Sequence, residues 1–440
     1  MAFLVTKGDR GPLFVAQTAL VIVVSGILAN LTFNAIATAL GAGYPYSNFL
    51  FLPDDRFADF FKLSFSYPGQ PVHPVADHWG VSGLLEHAWA DVTKYAGTRL
   101  NHFHVPPLPT LLGLTWRSLM HWIDPVVVFL ALLTAALVAL FAAVERQSPP
   151  GPAAPALASA ALLSYPTLSA IDRGHFFSLI CAILTISATL RTIRDHRADV
   201  WSIMMFAVAV NIRPNVGVVP LVLWLGRLGL SFRAAVVLGI ASVGLFGSLL
   251  AVVHGLYPAY TFESFLVGLR DYGKLYAGGE LGYPTGTSIY GTLRALFGYH
   301  KWHFAPPLFI AGLLAAVAII ESRQGRLRAS ECVFLTLCAY ALGTQIFANY
   351  HLLVFIIPLV LLAREGGIFD RSDWAVFLGS AVMLIPKNYL FAANGETLWS
   401  WQVVANPLIL LIASAIVIAT AFRRSSPREG SRGISPQAAG

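Results

Sequence analysis

The chain has 440 residues, is 56% hydrophobic and only 12% charged, which excludes an ordinary water-soluble enzyme and puts most of it in a membrane. Its net charge is +7, but the basic residues sit in short loops between apolar runs, a pattern of membrane orientation and no argument for nucleic-acid binding. Cys181, Cys332 and Cys338 all lie inside apolar stretches without a CxxC, so they read as buried small side chains and not as disulfide partners or metal ligands.

Apolar runs near 13–40, 125–144, 155–171, 176–192, 232–253, 306–322, 330–348, 350–363, 374–392 and 403–422 predict about ten full helical spans. The first follows Lys7 and Arg10, is too long for a cleaved signal peptide, and reads as a signal anchor. Two more apolar pieces, 106–122 and 200–225, contain prolines and fit re-entrant or broken helices. The fold class expected is therefore an all-α polytopic membrane protein with residues 1–422 in one transmembrane domain. Two long external segments, 41–124 and 254–305, are rich in aromatics, His, Pro and Gly, and such loops are functional more often than idle. The polar tail 423–440 is expected to be disordered and cytoplasmic.

Charge supports this topology. With both termini inside, the inner segments carry 17 Lys/Arg against 10 Asp/Glu, leaving 12 of each outside, so the whole positive excess falls on one face. The clusters at 191–197, 323–328 and 422–428 supply most of it. Reading 106–122 and 200–225 as full spans would move the first cluster outside.

Arg213, followed by Pro214 within an apolar stretch, is the most telling pair in the chain. A charge at membrane depth costs at least about 2.5 kcal/mol, and proline frees backbone groups that only protein or water can satisfy. Such a break lines a polar cavity, where Arg213 holds an anion or else pairs with a buried carboxylate. Asp54 and Asp55, just after the first span, are candidates for a general base; the alternative is a capped surface helix. Asp172, Arg173 and His175 occupy a short external turn, where the arginine either grips a phosphate or forms a surface pair with the aspartate. His351 turns one span into the next beside Asn349 and Tyr350. Lys387 lies near the outer end of its span and either meets substrate or snorkels. His102, His104, His300 and His303 lack a third clustered ligand, so no metal site is expected, and no phosphate-binding P-loop spacing occurs.

In this order the motifs resemble the GT-C superfamily of membrane glycosyltransferases, most closely glycosyltransferase family 87. The matching residues are Asp55 to Phe60, the prolines of 104–112, Gly174-His175, Ile212-Arg213-Pro214, the stretch Thr285 to Gly291, and Tyr350-His351 with Pro358. Asp59 departs from the usual aromatic, and the doubled Asp54-Asp55 leaves two choices of base. The resemblance implies an inverting hexosyltransferase, with mannose one candidate sugar, acting on the outer face of a bacterial inner membrane. Its donor would be a polyprenyl-phosphate sugar and its acceptor a lipid or glycan, with no other cofactor. Asp55 or Asp54 would be the base, with Arg213, Arg173, His351, Asp172, His175 and Lys387 binding substrate. Rival readings are a flippase of lipid-linked glycans, which needs no carboxylate at the cavity mouth, and an O-antigen-polymerase-like enzyme, which uses arginine-rich outer loops.

Overall fold

The computed structural model describes residues 10–41, 60, 105–119, 122–123, 125–273, 286–298, 300–367, 369–387, 391–394 and 397–425. Asp54 and Asp55 lie outside the described residues, as do most of the segment 41–124 and residues 274–285 and 299 of the segment 254–305. Helices dominate: α1 (Arg10–Ala39), α2 (Pro107–Leu119), α3 (Pro125–Gln147), α4 (Ala153–Leu163), α5 (Tyr165–Arg173), α6 (Phe176–Arg194), α7 (Val200–Ile212) and α8 (Val218–Leu225). They continue with α9 (Phe232–Leu256), α10 (Phe262–Tyr272), α11 (Ile289–Phe297), α12 (Ala305–Arg323), α13 (Ala329–Gly343), α14 (Ile356–Glu365), α15 (Arg371–Met383) and α16 (Gln402–Ser425).

Six of these, α1, α3, α6, α9, α12 and α16, contain stretches long and apolar enough to cross a bilayer, and the bent pair α4–α5 makes a seventh. The chain is an integral membrane protein. The sequence leads one to expect about ten spans; among the described residues this smaller set passes by length and composition. Segment 155–171 bends by 42° between α4 and α5, where Ser164 is extended and Pro166 sits in the first turn of α5. Segments 330–348, 350–363 and 374–392 form the shorter α13, α14 and α15. Two of them are wrapped by other helices: in α13 every residue from Ser330 to Leu342 is buried, and the whole of Ile356–Ala363 in α14, whereas α15 leaves Trp374 and Leu378 exposed. A helix enclosed by protein needs no full bilayer length. By contrast α9 buries only Leu238 and Val253 and presents Phe232, Ile240 and Val243 outward, as a lipid-facing helix does.

The all-α expectation needs one amendment. A two-stranded antiparallel hairpin, β1 (Phe391–Asn394) and β2 (Thr397–Ser400), pairs Phe391 with Ser400 and Asn394 with Thr397. It occupies the end of the predicted span 374–392, whose helix stops at Met383. The tail boundary also moves, because α16 continues to Ser425.

Two groups of contacts set the ends of the helices. At one end, α7 and α8 form a hairpin that enters and leaves on the same side. Asp199, which caps α7, pairs with Arg191; the Ala198 N–H donates to the Gly229 carbonyl at 2.9 Å; Arg323 donates to the Leu225 carbonyl at 2.5 Å. Gly229 has φ +87°, and a Cβ there would meet the Thr192 carbonyl at 2.5 Å, so this closure requires glycine. The segment 200–225 is thus a helical hairpin whose two ends lie together.

The same end holds an ion-pair network. Arg328 reaches Glu331 at 2.8 Å and Asp373 at 2.7 Å, while Arg424 reaches Glu331 at 2.9 Å and Asp370 at 2.7 Å. Ser372 joins it through Glu331 and Asp370. Asp370 also caps α15, accepting from the N–H groups of Ser372 and Asp373. These residues come from three segments that the charge rule assigns to one face. Their mutual contact is the structural counterpart of that assignment.

Candidate functional site: a cavity around Arg213

α7 ends at Arg213, whose backbone is extended (φ −142°, ψ 101°), and Pro214 opens a single 3-10 turn, Pro214–Gly217, before α8 begins. Proline is at home in the first turn, where its missing N–H would have no helical partner. The break thus comes where the sequence places it, at the tip of the re-entrant hairpin. It points Arg213 into a cavity of about 990 Å³.

The cavity gathers residues from distant parts of the chain. His175 and Ser178 come from the α5–α6 turn, Arg213 and Asn215 from the hairpin tip, Tyr272 from the end of α10, Tyr340 from α13, and Gln345, Tyr350 and His351 from the corner before α14. The remaining wall is mainly apolar, with Phe60, Pro106, Pro109, Phe176 and Phe177 among its members. Phe60 is buried and packs on Trp116 of α2 and Phe129 of α3, with ring centroids 5.1 and 4.9 Å apart.

Local structure explains why the two histidines meet. α5 stops at Gly174 in the left-handed conformation (φ 68°), which turns the chain so that His175 begins α6 at the cavity wall. Its Nδ1 shares a hydrogen bond of 2.9 Å with Ser178 Oγ, and its ring lies 4.1 Å from that of Tyr350. On the other side a 3-10 segment, Asn349–Phe355, carries Tyr350 and His351 before Pro358 falls in the first turn of α14. Tyr350 and His351 meet edge to face at 4.4 Å. His351 is buried, and its Nε2 has no hydrogen-bond partner among the described residues. A buried ring nitrogen left unmatched at a cavity wall is a place for a ligand polar atom.

The structural alternative for Arg213 was a buried carboxylate. Among the described residues none lies within 4.0 Å of its guanidinium; its polar neighbours are the phenols of Tyr272, Tyr340 and Tyr350 and the Cys181 thiol. Among the described residues no Asp or Glu lines the cavity either.

The other predicted residues divide. Arg173 is half-buried beside His175 without joining the lining, and Asp172 is buried at the end of α5. Lys387 is also absent from the lining: its Nζ donates to the carbonyls of Val382 and Ile385, at 2.5 and 2.9 Å, and so caps α15. Of the loosely matched stretch 285–291, residues 286–291 are described and have a clear place. Thr287 donates from its N–H to the Phe347 carbonyl and Ser288 from its hydroxyl to the Gln345 carbonyl, at 2.7 and 3.1 Å, bracing the corner that leads to His351.

Tyr340, Tyr272, Ser178 and Gln345 were not singled out in the sequence. Tyr340 had a signal, a phenol in an otherwise apolar helix two residues before Leu342-Gly343-Thr344-Gln345, where a polar tip needs a partner. Compared with protein-family models, with curated proteins and with solved structures, the chain matches none.

Proposed function

We propose that the protein is a membrane glycosyltransferase of the GT-C type, akin to glycosyltransferase family 87. It moves a hexose, mannose being one candidate, from a polyprenyl-phosphate donor to a lipid or glycan acceptor on the outer face of a bacterial inner membrane. The observation that carries this reading is the convergence of Arg213, His175 and His351 on one largely apolar cavity at the tip of a re-entrant helix. A cation with no carboxylate partner among the described residues suits a lipid phosphate, and apolar walls suit its tail.

The chemistry follows from these roles. A carboxylate takes the proton of the acceptor hydroxyl as its oxygen attacks the anomeric carbon; the bond from that carbon to the phosphate oxygen breaks, and polyprenyl phosphate leaves with the electron pair. Arg213 stabilises the charge growing on the leaving phosphate. His175, held through Nδ1 by Ser178, and His351, through Nε2, orient donor and acceptor. The base is Asp55, with Asp54 second. Chain connectivity ties Asp55 to Phe60, a wall residue five positions on, within about 18 Å.

The test measures transfer from a polyprenyl-phosphate sugar by purified variants, together with donor binding. Asp55→Asn is expected to lose transfer about 1,000-fold while still binding donor, because a general base acts chiefly in the transition state. Full transfer by the Asp54→Asn, Asp55→Asn double variant would remove these carboxylates from the reaction. The described lining, which holds a cation and no carboxylate, would then fit the flippase reading instead. Cysteine labelling at Ser66 and Ser425 tests the topology: reagent confined to one side should reach one position and not the other.

A further inference from the structure

Away from the cavity, one more arginine is held without an anion. Arg364, at the end of α14, is half-buried and donates to two neutral acceptors, the Leu190 carbonyl of α6 at 3.2 Å and Gln147 Oε1 of α3 at 3.0 Å. Among the described residues it forms no ion pair, whereas Arg191 has Asp199 and Arg326 has Glu321. Burial disfavours its charge, and the strongest charge acting on it is the like-signed Arg194. Asp195, which is forked on Arg194 at 2.7 and 3.2 Å, offsets less. A cation so placed is a cost to the fold until an anion answers it.

Its position says which anion can reach it. Gln147 and Arg194 are the last residues of two of the stretches long and apolar enough to cross a bilayer, Val127–Gln147 and Phe176–Arg194. The guanidinium therefore sits between two span ends, at the depth where hydrocarbon gives way to headgroups. α3 turns Leu130 and Val138 outward, so lipid lines the approach to this corner. The exposed Glu145 and Arg146 of its last turn cancel, which leaves Arg364 as the uncompensated cation. A phospholipid can lay its chains along α3 and bring its phosphate to Arg364, and a headgroup without a cation of its own gains most from the contact.

We infer that the corner between α3, α6 and α14 binds the headgroup of an anionic phospholipid, with the phosphate on Arg364. None of Arg364, Gln147 and Leu190 lines the Arg213 cavity, and the inference is independent of the glycosyltransferase reading.

The experiment places the full chain in nanodiscs of phosphatidylcholine alone or mixed with phosphatidylglycerol. Native mass spectrometry counts the lipids retained, and the melting midpoint is measured in both discs. The wild type should retain phosphatidylglycerol in preference to phosphatidylcholine and melt higher in the mixed discs. Arg364→Gln keeps a donor for the Leu190 carbonyl and removes the uncompensated charge, so the fold should survive. Its retention of phosphatidylglycerol should weaken about tenfold, the loss of a charge-assisted hydrogen bond, and its gain in melting midpoint should vanish. Arg423→Gln, which removes an exposed arginine of α16, should keep both. A wild type without headgroup preference would overturn the inference. So would an equal loss in Arg423→Gln, which would make the preference a matter of total surface charge. If Arg364→Gln melts lower in both discs yet keeps the preference, Arg364 is a helix clamp and the lipid site fails. Inorganic phosphate that protects the wild type in phosphatidylcholine discs as well as phosphatidylglycerol does would give the corner to a soluble anion instead.

Discussion

Two sets of arginines in this protein live in opposite circumstances. Arg328 and Arg424 meet at one end of the helix bundle with Glu331, Asp370 and Asp373, and their charges are answered by carboxylates of two elements, α13 and α15. Arg213 sits deeper, at a helix break, with phenols and a thiol about it and no described carboxylate in reach. An arginine whose fork is already filled contributes to holding helices together; one left without an anion is a cost to the fold unless a ligand answers it. On the proposed function, the contrast sets arginines that hold helices together against one that meets a substrate.

The sharpest way to break the comparison is Arg213→Ala. Transfer is expected to fall about 100- to 1,000-fold, the usual effect of removing one group that stabilises a developing oxyanion, with the melting midpoint kept or raised. A variant that transfers sugar but unfolds early would put Arg213 in the same structural class as Arg328.

Glu331→Gln tests the other side. Glu331 is fully buried and accepts from both arginines, so its loss is expected to destabilise the protein by about 3 kcal/mol, measured by unfolding in detergent. The figure is at the low end for a buried pair because both arginines are a third exposed and keep Asp370. Transfer per folded molecule should stay at the wild-type level.

pH provides a subtler probe of the same network. Burial pushes the Asp370 carboxyl up, but the Asp373 N–H, Ser372 and Arg424 outweigh it and hold it well below the usual carboxylate range. A depressed value contributes stability above the ordinary carboxylate pKa, and that stability is lost as pH falls from there toward the folded value. The melting midpoint should therefore change little from neutral pH to about pH 5 and drop below about pH 4. Asp370→Asn should shrink that drop. Asp373 is pushed up by burial and titrates in the opposite sense, so its replacement should not.

The smallest effect is expected at Lys387. As a helix cap its replacement by Met should cost about 1 kcal/mol and leave transfer alone. A large loss of transfer in a stable Lys387→Met protein would return it to the substrate site.

Much of the cavity was legible in the sequence because membranes make polar residues conspicuous. Arg213-Pro214 and the Tyr350-His351 corner stood out against apolar surroundings, and both line the cavity. Lys387 was equally conspicuous, but sequence distance gave no view of the backbone carbonyls at the end of α15 that it serves. The span count was the weaker part. Apolar runs record burial, whether in lipid or in protein, so the enclosed α13 and α14 read as full-length crossings, as does the part-exposed α15, although each is a shorter helix. The hairpin was missed for a related reason: hydropathy carried the run on to residue 392, although Asn394-Gly395 between apolar residues is a strong turn signal. Asp54 and Asp55 lie outside the described residues, and their role stays with the proposal.

The α7–α8 hairpin has a consequence for how the chain is made. Because it begins and ends on one side, closed by Ala198 and Gly229, it adds nothing to the parity of membrane crossings. Every later span acquires its orientation whether or not the hairpin has yet inserted. The segment bearing a membrane-embedded arginine can thus remain outside the bilayer during synthesis and fold in late, once the surrounding helices offer its charge somewhere to go.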